Sequence, residues 1–358
     1  MPAPSPLHLT APFQPVAVET LAAVLERTHG IAGAQAERLA TERDATARGR
    51  AGAGAGERER ERTLVAKLAH PIDDARVLAD QLAVLDALAR IHPDLPVPRV
   101  VPTLDGALST TIGTPDGPRV LRVLTYLEGE TLGSAPRSLA DLNALGALHA
   151  RLAAAIAEIG DAGVPPLQGA PTPWNLLALE AYGPLARSLA DAALRAVVAP
   201  VIERAADAVL EPARALAAVL AHNDLHGDNV LVAPSPPGTP LVVTGVLDFG
   251  DMTRTPRVAD LAVAASYARG RVGDAAPPWS AAAAYVAGYE SVAPLDELEH
   301  ALLPELVMLR LAQRGILNSS IAAANPRAAE YASRNLSAIA RDLRELGASI
   351  PHRIGGMS

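Results

Sequence analysis

The sequence predicts an α+β chain with two lobes, a small β-rich N-terminal lobe followed by a large helical C-terminal lobe. Its 358 residues are enough for two hydrophobic cores. Short apolar runs separated by turn residues fill much of the first third, which is typical of strands. Long Ala- and Leu-rich stretches follow, and with only 3% aromatic residues the cores must be built from small aliphatic side chains.

The first lobe is expected to cover residues 15–127, behind a proline-rich flexible arm at residues 1–14. Its Gly/Ala tract at residues 49–56 is interpreted as a mobile hairpin tip rather than a phosphate-binding glycine loop. The apolar periodicity predicts the elements of this lobe in order: a helix at 16–28, strands and turns at 35–68, a helix at 74–90, and apolar runs at 100–102 and 120–127.

The second lobe, residues 128–358, contains one β-like island among helices. Two apolar runs, 229–232 and 241–247, are joined by a Pro/Gly-rich loop and predict a hairpin. The surrounding segments are predicted to be helical: 138–159, 175–220 and 259–346.

Composition excludes several kinds of function. The absence of cysteine rules out disulfides, thiolate catalysis and cysteine-bound zinc. A net charge of −8 argues against nucleic acid as the partner and suits a cationic or small polar one. Neither a signal peptide nor a bilayer-spanning stretch is recognised in the sequence, so we expect a cytoplasmic location and no membrane partner. The oligomeric state cannot be inferred.

Polar residues concentrate at both ends of the predicted hairpin. Asp224 and Asn229 stand five positions apart at its entrance, and Asp248 begins an Asp-Phe-Gly segment at its exit. Phosphoryl transfer from a nucleotide needs a carboxylate for the attacking hydroxyl and oxygen ligands for Mg²⁺. Such residues at hairpins can also be simple turn formers. The presence of both motifs around one strand pair favours the phosphoryl-transfer interpretation.

Lys67 is the chain's only lysine and lies in an apolar run that predicts a buried strand. A compact ammonium group fits a tight phosphate pocket in a way that the wider guanidinium group often does not. Lys67 could also be a surface residue in a lysine-poor protein. Lys67 precedes the hairpin motifs in the chain, and kinases carry their phosphate-binding lysine and their catalytic motifs in the same order.

With these motifs, the chain resembles the aminoglycoside phosphotransferase-like kinases, whose catalytic loop has the form His-x-Asp-Leu-His-x-x-Asn, matched by residues 222–229. Within them it is most similar to the hydroxylysine kinase-like group, from about residue 41 onward. The resemblance implies a bilobal protein-kinase-like fold with a nucleotide-binding N-lobe. It also implies an enzyme that uses Mg²⁺ and either ATP or GTP.

The resemblance implies roles for individual residues. Asp224 would be the catalytic base or would orient the substrate hydroxyl, and Asn229 and Asp248 would hold Mg²⁺. Lys67 would contact the nucleotide phosphates. His222 is expected to brace the catalytic loop. The remaining nucleotide-binding residues would form a turn over the phosphates (Thr41, Glu42, Arg43 and Asp44) and the hinge segment that faces the nucleobase (124–127, with Thr125 and Leu127).

Asp260 is expected to cap a helix. The helix after Lys67 carries Asp80 and Gln81 where kinases carry a glutamate that pairs with the lysine, so the partner of Lys67 is undetermined.

The acceptor is expected to be a small hydroxylated metabolite that carries an amino group, with 5-hydroxylysine as the guide. Four acidic residues could pair with that amino group: Asp228, Asp251, Glu297 and Glu299, of which the two glutamates are expected to be surface charges. Arg310 and Arg314, four apart on one helical face, could bind an acceptor carboxylate or form structural ion pairs. We favour ion pairs.

The sequence therefore predicts a small-molecule phosphotransferase that acts on an alcohol group. Two alternatives remain open. One is an antibiotic phosphotransferase of the aminoglycoside type, which would share the same motifs. The other is a nucleotide-binding pseudokinase with a regulatory role.

Overall fold

The structure is a computed structural model in which the chain forms two compact units, whose main segments are Ala11–Glu128 and Gly129–Ala162 with Gly169–Ser358. The residues that the structure describes are 14, 16–31, 35–39, 45–51, 62–133, 138–163, 173–234, 236, 239–268, 277–324 and 329–354.

The first unit is an antiparallel sheet with two helices. The strand order is β1-β2-β3-β5-β4, and every neighbouring pair is antiparallel. Its elements in chain order are α1 (Val18–His29), β1 (Gln35–Leu39), β2 (Ala45–Ala51), β3 (Arg62–Leu68), α2 (Ala75–Ile91), β4 (Thr110–Thr114) and β5 (Gly117–Thr125).

The core of this unit lies on one face of the sheet. Leu64, Ala66 and Leu68 alternate along β3 and are buried in one cluster with Leu21 of α1. Because successive side chains of a strand point to opposite faces, Lys67 belongs to the other face, where it is partly exposed.

The second unit is mostly helical, with two small sheets, so the predicted α+β class is confirmed. In one sheet β7 pairs with β10, and in the other the order is β6-β8-β9. Its elements in chain order are β6 (Glu130–Thr131), α3 (Leu139–Asp161), α4 (Leu179–Tyr182), α5 (Ala192–Arg204), α6 (Leu210–Ala215), β7 (Ala218–Ala221), β8 (Val230–Val232), β9 (Val243–Val246), β10 (Thr253–Pro256), α7 (Arg257–Ala265), α8 (Ser280–Glu290), α9 (Glu297–Ala324), α10 (Ala329–Ser333) and α11 (Leu336–Gly347).

The predicted hairpin is confirmed, since β8 and β9 pair in antiparallel register. The predicted helical stretch at 175–220 is interrupted, however, and contains three helices with 3-10 and π turns between them. Prolines explain part of this difference because they lack the backbone N–H that a helix interior needs. Pro184 lies at the start of a 3-10 turn, Gly183–Ser188, directly after α4.

Helices α3 and α8 pack at very short distance. A Cβ atom on Gly146 of α3 would lie 1.9 Å from the carbonyl oxygen of Tyr285, and one on Gly288 of α8 would lie 1.9 Å from that of Asn143. Glycine at these two positions lets the backbones touch. α3 is long and apolar enough to cross a bilayer by length and composition alone, but half of its most apolar window is buried inside the unit, as in a core helix.

Candidate active site

Asp224 and Asn229 lie in the loop that joins β7 to β8. The side-chain Nδ2 of Asn229 donates to Oδ2 and to the backbone carbonyl of Asp224, both at 2.9 Å. A single 3-10 turn, Gly227–Asn229, brings the amide back toward the carboxylate. Because Nδ2 is committed to Asp224, the Oδ1 of the planar amide faces the other way.

Asp248 follows β9 and lies close to Asn229 because the hairpin pairing continues beyond the strands. The N–H of Leu247 donates to the carbonyl of Asn229 at 2.8 Å. Asp248 has a φ of 61°, in the left-handed region that few residues other than glycine adopt. Its Oδ1 accepts from the N–H of Gly250 at 3.3 Å. The structure therefore brings the two hairpin motifs together.

His222 braces this loop, as we expected. Its Nδ1 accepts from the N–H of Asp224 at 3.3 Å, so the ring proton is on Nε2, which lies 3.1 Å from the carbonyl of Leu247. Burial lowers the pKa of His222 despite the neighbouring carboxylates, and the neutral ring can keep both hydrogen bonds. The ring also packs edge-on against Phe249, with 4.8 Å between centroids.

The prediction that Asp260 caps a helix is wrong. Its Oδ1 accepts from the N–H of Asn223 at 2.7 Å, and its Oδ2 lies 2.9 Å from Nε2 of His149 on α3. Burial by itself raises the pKa of Asp260, but His149, His222 and the N–H of Asn223 together lower it below its usual value. The other ring nitrogen of His149 lies 3.1 Å from the hydroxyl of Tyr285. Asp260 thus ties the catalytic loop to α3 and α8.

Arg310 of α9 contacts the candidate catalytic carboxylate directly. Its Nη2 donates to Oδ1 of Asp224 at 3.2 Å, and its Nη1 donates to the carbonyl of Trp174 and to Oε1 of Gln313. Only 1% of Arg310 is exposed. The favoured prediction of structural ion pairs is therefore confirmed for Arg310, whose partner is Asp224, and is wrong for Arg314, which forms no ion pair among the described residues.

Three donors converge on the Asp224 carboxylate. Oδ1 receives Arg310, while Oδ2 receives Asn229 and lies 3.4 Å from Nε2 of His226. A carboxylate offers about four lone-pair positions, so about one is left for an incoming hydroxyl group. The donors hold the carboxylate in one orientation, which suits it to align that hydroxyl.

A stack of three side chains lies next to Asp224. The rings of His226 and Tyr267 are stacked with centroids 4.7 Å apart, and the guanidinium carbon of Arg314 lies 3.8 Å from the centroid of the Tyr267 ring. Burial alone lowers the pKa of His226, but the hydrogen bond to Asp224 and the nearby charges raise it to about 9. The N–H of Asp228 lies 3.2 Å from Nδ1, and Nε2 faces the Asp224 carboxylate at 3.4 Å.

The nucleotide-binding residues predicted in the first unit are only partly described. Lys67 pairs across the sheet with Thr46 of β2 and Arg122 of β5. Its contact with nucleotide phosphates stays a prediction, since Lys67 and Asp248 belong to different units. The residues predicted to form the turn over the phosphates lie outside the described residues: Thr41, Glu42, Arg43 and Asp44.

At the end of β5, Thr125 is committed to the protein itself. Its N–H donates to the carbonyl of Arg99, and its Oγ1 accepts from the N–H of Arg99, both at 2.9 Å. The next amide, of Tyr126, donates to the carbonyl of Thr63 at 3.0 Å. Leu127 is the first residue after β5 whose N–H makes no hydrogen bond within the described part of the chain.

The acidic residues proposed for the acceptor side differ from one another. Glu297 is exposed, as predicted, but the prediction for Glu299 is wrong, because Glu299 is buried and its Oε2 lies 2.6 Å from Nη2 of Arg257. That partner is 42 positions away, and a helical pattern alone cannot show it. Asp228 is half exposed and lies 3.6 Å from Nη2 of Arg334.

A divalent metal ion fits the donors near Asn229 and Asp248. An amide oxygen and a carboxylate are hard oxygen ligands of the kind that Mg²⁺ prefers. The described residues contain no group of three or more His, Asp or Glu side chains that could hold a metal alone. Mg²⁺ commonly takes one or two protein ligands and completes its shell with water and phosphate oxygens.

Sequence reasoning missed three side chains of this site: Trp174, Tyr267 and His149. Their spacing from the motifs carries no signal because they reach the site from distant segments. The low aromatic content of 3% could have drawn attention to Trp174 and Tyr267, since each aromatic residue is rare in this chain.

The fold and the site together define a kinase-like phosphotransferase, with a carboxylate for a hydroxyl group and oxygen donors for a metal. Comparison with known proteins then identifies the family. Residues 55–295, more than half of the chain, match the phosphotransferase enzyme family (APH), and the chain belongs to that family. It is a small-molecule kinase that transfers a phosphoryl group to a hydroxyl group.

Two relatives in the family are hydroxylysine kinases. The chain is 26% identical to the one from Danio rerio over 271 residues, which is 75% of each chain. It is also 26% identical to the one from Bos taurus over 243 residues, 66% of this chain and 64% of that protein.

Solved structures share the fold at lower identity. The amicoumacin kinase hAmiN, in complex with AMP-PNP, Ca²⁺ and Ami, has a TM-score of 0.62 and 17% identity, covering 94% of this chain and 95% of that one. A microcompartment-associated aminopropanol kinase has a TM-score of 0.55 and 22% identity, covering 91% of this chain and 99% of that one. These similarities concern the fold.

Proposed function

We propose that this enzyme transfers the γ-phosphoryl group of ATP or GTP, with Mg²⁺, to a hydroxyl group of a hydroxylated amino acid. The observation that carries the proposal is the Asp224 carboxylate, held by Asn229 and Arg310 with about one acceptor position left. The hydroxylysine kinases among its relatives support an amino acid as the acceptor.

In this proposal, Asp224 aligns the acceptor hydroxyl with the γ-phosphoryl group and receives its proton as the bond to phosphorus forms. The bond between the γ-phosphorus and the bridging oxygen breaks at the same time, and the nucleoside diphosphate leaves. Arg310 keeps the carboxylate in place through Oδ1, so the free lone pair keeps one direction.

The other residues act on the nucleotide. The Oδ1 of Asn229 and the carboxylate of Asp248 would hold Mg²⁺, which supplies charge neutralisation at the phosphates. Lys67 would contact the phosphates, and the free N–H of Leu127 would face the nucleobase. Thr125 could contribute its backbone carbonyl or its hydroxyl O–H, because its N–H already donates to Arg99 and its Oγ1 only accepts from Arg99. Thr41, Glu42, Arg43 and Asp44 would form the turn over the phosphates.

The pseudokinase alternative loses its support, since the chain belongs to a phosphotransferase family and retains Asp224, Asn229 and Asp248. The alternative of an antibiotic phosphotransferase is tested by the same acceptor screen as the proposal.

An acceptor screen tests the proposal. The purified enzyme is incubated with Mg²⁺, either ATP or GTP, and a panel of hydroxylated amino acids, amino alcohols and aminoglycosides, and phosphate transfer is measured. We expect a hydroxylated amino acid to have the highest kcat/KM. We also expect Asp224→Asn to lower kcat by about 10²- to 10⁴-fold, while the exposed control Asp207→Asn leaves it unchanged.

If an aminoglycoside is the best acceptor, the proposed acceptor class is wrong and the enzyme is an antibiotic phosphotransferase. A fully active, folded Asp224→Asn variant would remove Asp224 from the mechanism.

A further inference from the structure

We propose that Arg314 is the residue that binds the carboxylate of the acceptor, so that the enzyme selects hydroxylated amino acids over the corresponding amino alcohols. The inference rests on the proposed function, because it concerns the acceptor whose hydroxyl group meets Asp224. It adds a specificity-determining residue that lies outside the two hairpin motifs.

The first observation is that Arg314 has no counter-ion at contact distance. Among the described residues its guanidinium group takes part in no hydrogen bond and in no ion pair within 4 Å. Other arginines of the same unit are paired: Arg257 with Glu299, Arg204 with Glu305, and Arg310 with Asp224. A partly buried arginine without an anionic partner is a ready site for one.

The second observation is that the guanidinium group is held in place without using its donors. It lies over the Tyr267 ring at 3.8 Å, and that ring is stacked on His226 beside Asp224. Stacking uses the face of the guanidinium group and leaves the N–H groups at its edge available. Those N–H groups form the planar fork that matches a carboxylate through two parallel hydrogen bonds.

The local electrostatics agree with this geometry. Burial lowers the pKa of Arg314, and the neighbouring Arg310 lowers it further, although Tyr267, Asp224 and Asp228 oppose them. Burial raises the pKa of the Tyr267 phenol, but Arg314 is the main cause that brings it below its usual value. Positive charge is therefore in local excess around Tyr267, and an acceptor carboxylate would neutralise it.

The helix geometry sets the length of a suitable acceptor. Arg310 and Arg314 are four positions apart on α9, so they share one face and are separated by about 6 Å of helix rise. Arg310 contacts Asp224, and if Arg314 extends from the helix to a similar depth, we expect a ligand that reaches from Asp224 to Arg314 to span a distance of this order. Four C–C bonds of about 1.5 Å in an extended chain span about 5 Å. Four bonds separate the hydroxyl-bearing carbon from the carboxylate in 5-hydroxylysine, and two separate them in serine.

The test uses pairs of acceptors that differ only in the carboxylate. The pairs are 5-hydroxylysine with 1,5-diaminopentan-2-ol, homoserine with 3-aminopropan-1-ol, and serine with ethanolamine. Calorimetry measures Kd for each compound on the full chain with AMP-PNP and Mg²⁺. We expect at least one amino acid to bind tenfold or more tightly than its decarboxylated partner, with 5-hydroxylysine preferred over serine.

Variants then assign the preference to one residue. Arg314→Gln is expected to raise the Kd of the preferred amino acid by about 10- to 100-fold and to leave the Kd of the amino alcohol unchanged. Arg341→Gln, an exposed arginine of α11, is the matched control and should keep the preference. Equal binding within every pair in the wild type would overturn the inference. So would an equal loss for both members of the pair in Arg314→Gln, which would indicate a structural role.

Thermal unfolding shows whether Arg314→Gln is folded. If Arg314→Gln is not folded, Arg314→Lys replaces it, because lysine keeps the charge but lacks the planar fork. Arg314→Lys should lose part of the preference for the amino acid over the amino alcohol. An unchanged preference in Arg314→Lys would count against the inference. A phosphate-transfer assay separates the two proposals. Preferential binding of the amino acid without transfer to any acceptor would overturn the proposed function alone, and transfer without any preference for the carboxylate would overturn the role of Arg314 alone.

Discussion

Arg310 and Asp224, 86 positions apart in the chain, form a hydrogen-bonded ion pair in which a nearly fully buried guanidinium group meets the candidate catalytic carboxylate at 3.2 Å. The same arginine also donates to Trp174 and Gln313. The position of Asp224 therefore depends on α9 as well as on its own loop.

Replacing Arg310 should affect both stability and catalysis. Arg310→Gln removes the charged donor to Oδ1 of Asp224 and the donor to the carbonyl of Trp174, so we expect the free energy of unfolding to fall by roughly 2–5 kcal/mol. Since Asp224 loses its orientation, kcat should fall more than KM rises. Urea unfolding and steady-state kinetics measure the two effects. Arg204→Gln breaks a more exposed pair with Glu305 and should cost at most about 1 kcal/mol. Equal losses in both variants would contradict this expectation.

The contact between α3 and α8 should tolerate no side chain at Gly146. A Cβ atom there would lie 1.9 Å from a backbone oxygen, which cannot move as a flexible side chain could. We expect Gly146→Ala to lower the free energy of unfolding by about 3 kcal/mol, at the upper end of the range for overpacking. Gly113→Ala in β4 is the control because no atom lies within 4 Å of its added Cβ. Urea unfolding midpoints compare the two variants, and a Gly146→Ala protein as stable as the wild type would show that the helices can separate freely.

Asp260 should make stability depend on pH at the acid end. Its pKa is lower in the folded protein than the usual 3.8, so its stabilising contribution is present above about pH 4 and is lost as the pH falls through the folded value. We expect Asp260→Asn to be less stable than the wild type at pH 7, by roughly 2–5 kcal/mol, and the difference to shrink below pH 4. Unfolding free energies between pH 7 and pH 3 measure this. Asp207→Asn, an exposed site, should show no such trend; a difference for Asp260→Asn that is constant with pH would exclude the charge as the cause.

Lys67 tests whether the first unit supplies the phosphate contact. If it does, Lys67→Ala should raise the KM for the nucleotide and lower kcat, and Lys67→Arg should restore little because the guanidinium group is wider. Nucleotide-dependent kinetics of the two variants, with Arg76→Gln on α2 as an exposed control, provide the measurement. Unchanged kinetics in a folded Lys67→Ala variant would show that Lys67 does not contact the nucleotide. That result would have no bearing on the catalytic role proposed for Asp224.

The hairpin and its motifs could be predicted because their signals are local. Asp224 and Asn229 are held in one loop by a hydrogen bond between residues five apart, and the register of β8 and β9 follows from two apolar runs and a Pro/Gly loop. Asp260 and Glu299 were misinterpreted because their partners, His149 and Arg257, come from other helices. A contact between side chains of two distant helices leaves no periodic pattern in the sequence.

The α+β class, the hairpin and the candidate residues of its two motifs follow from the sequence alone. These depend on the alternation of apolar side chains and on spacings shorter than one loop, which the chain can satisfy locally. The three-dimensional packing adds the pairing of Arg310 with Asp224, the burial of Asp260 against His149, and the position of Arg314 on Tyr267 with no anion among the described residues. The first two contacts form because a charge removed from water must find a partner wherever the packing provides one.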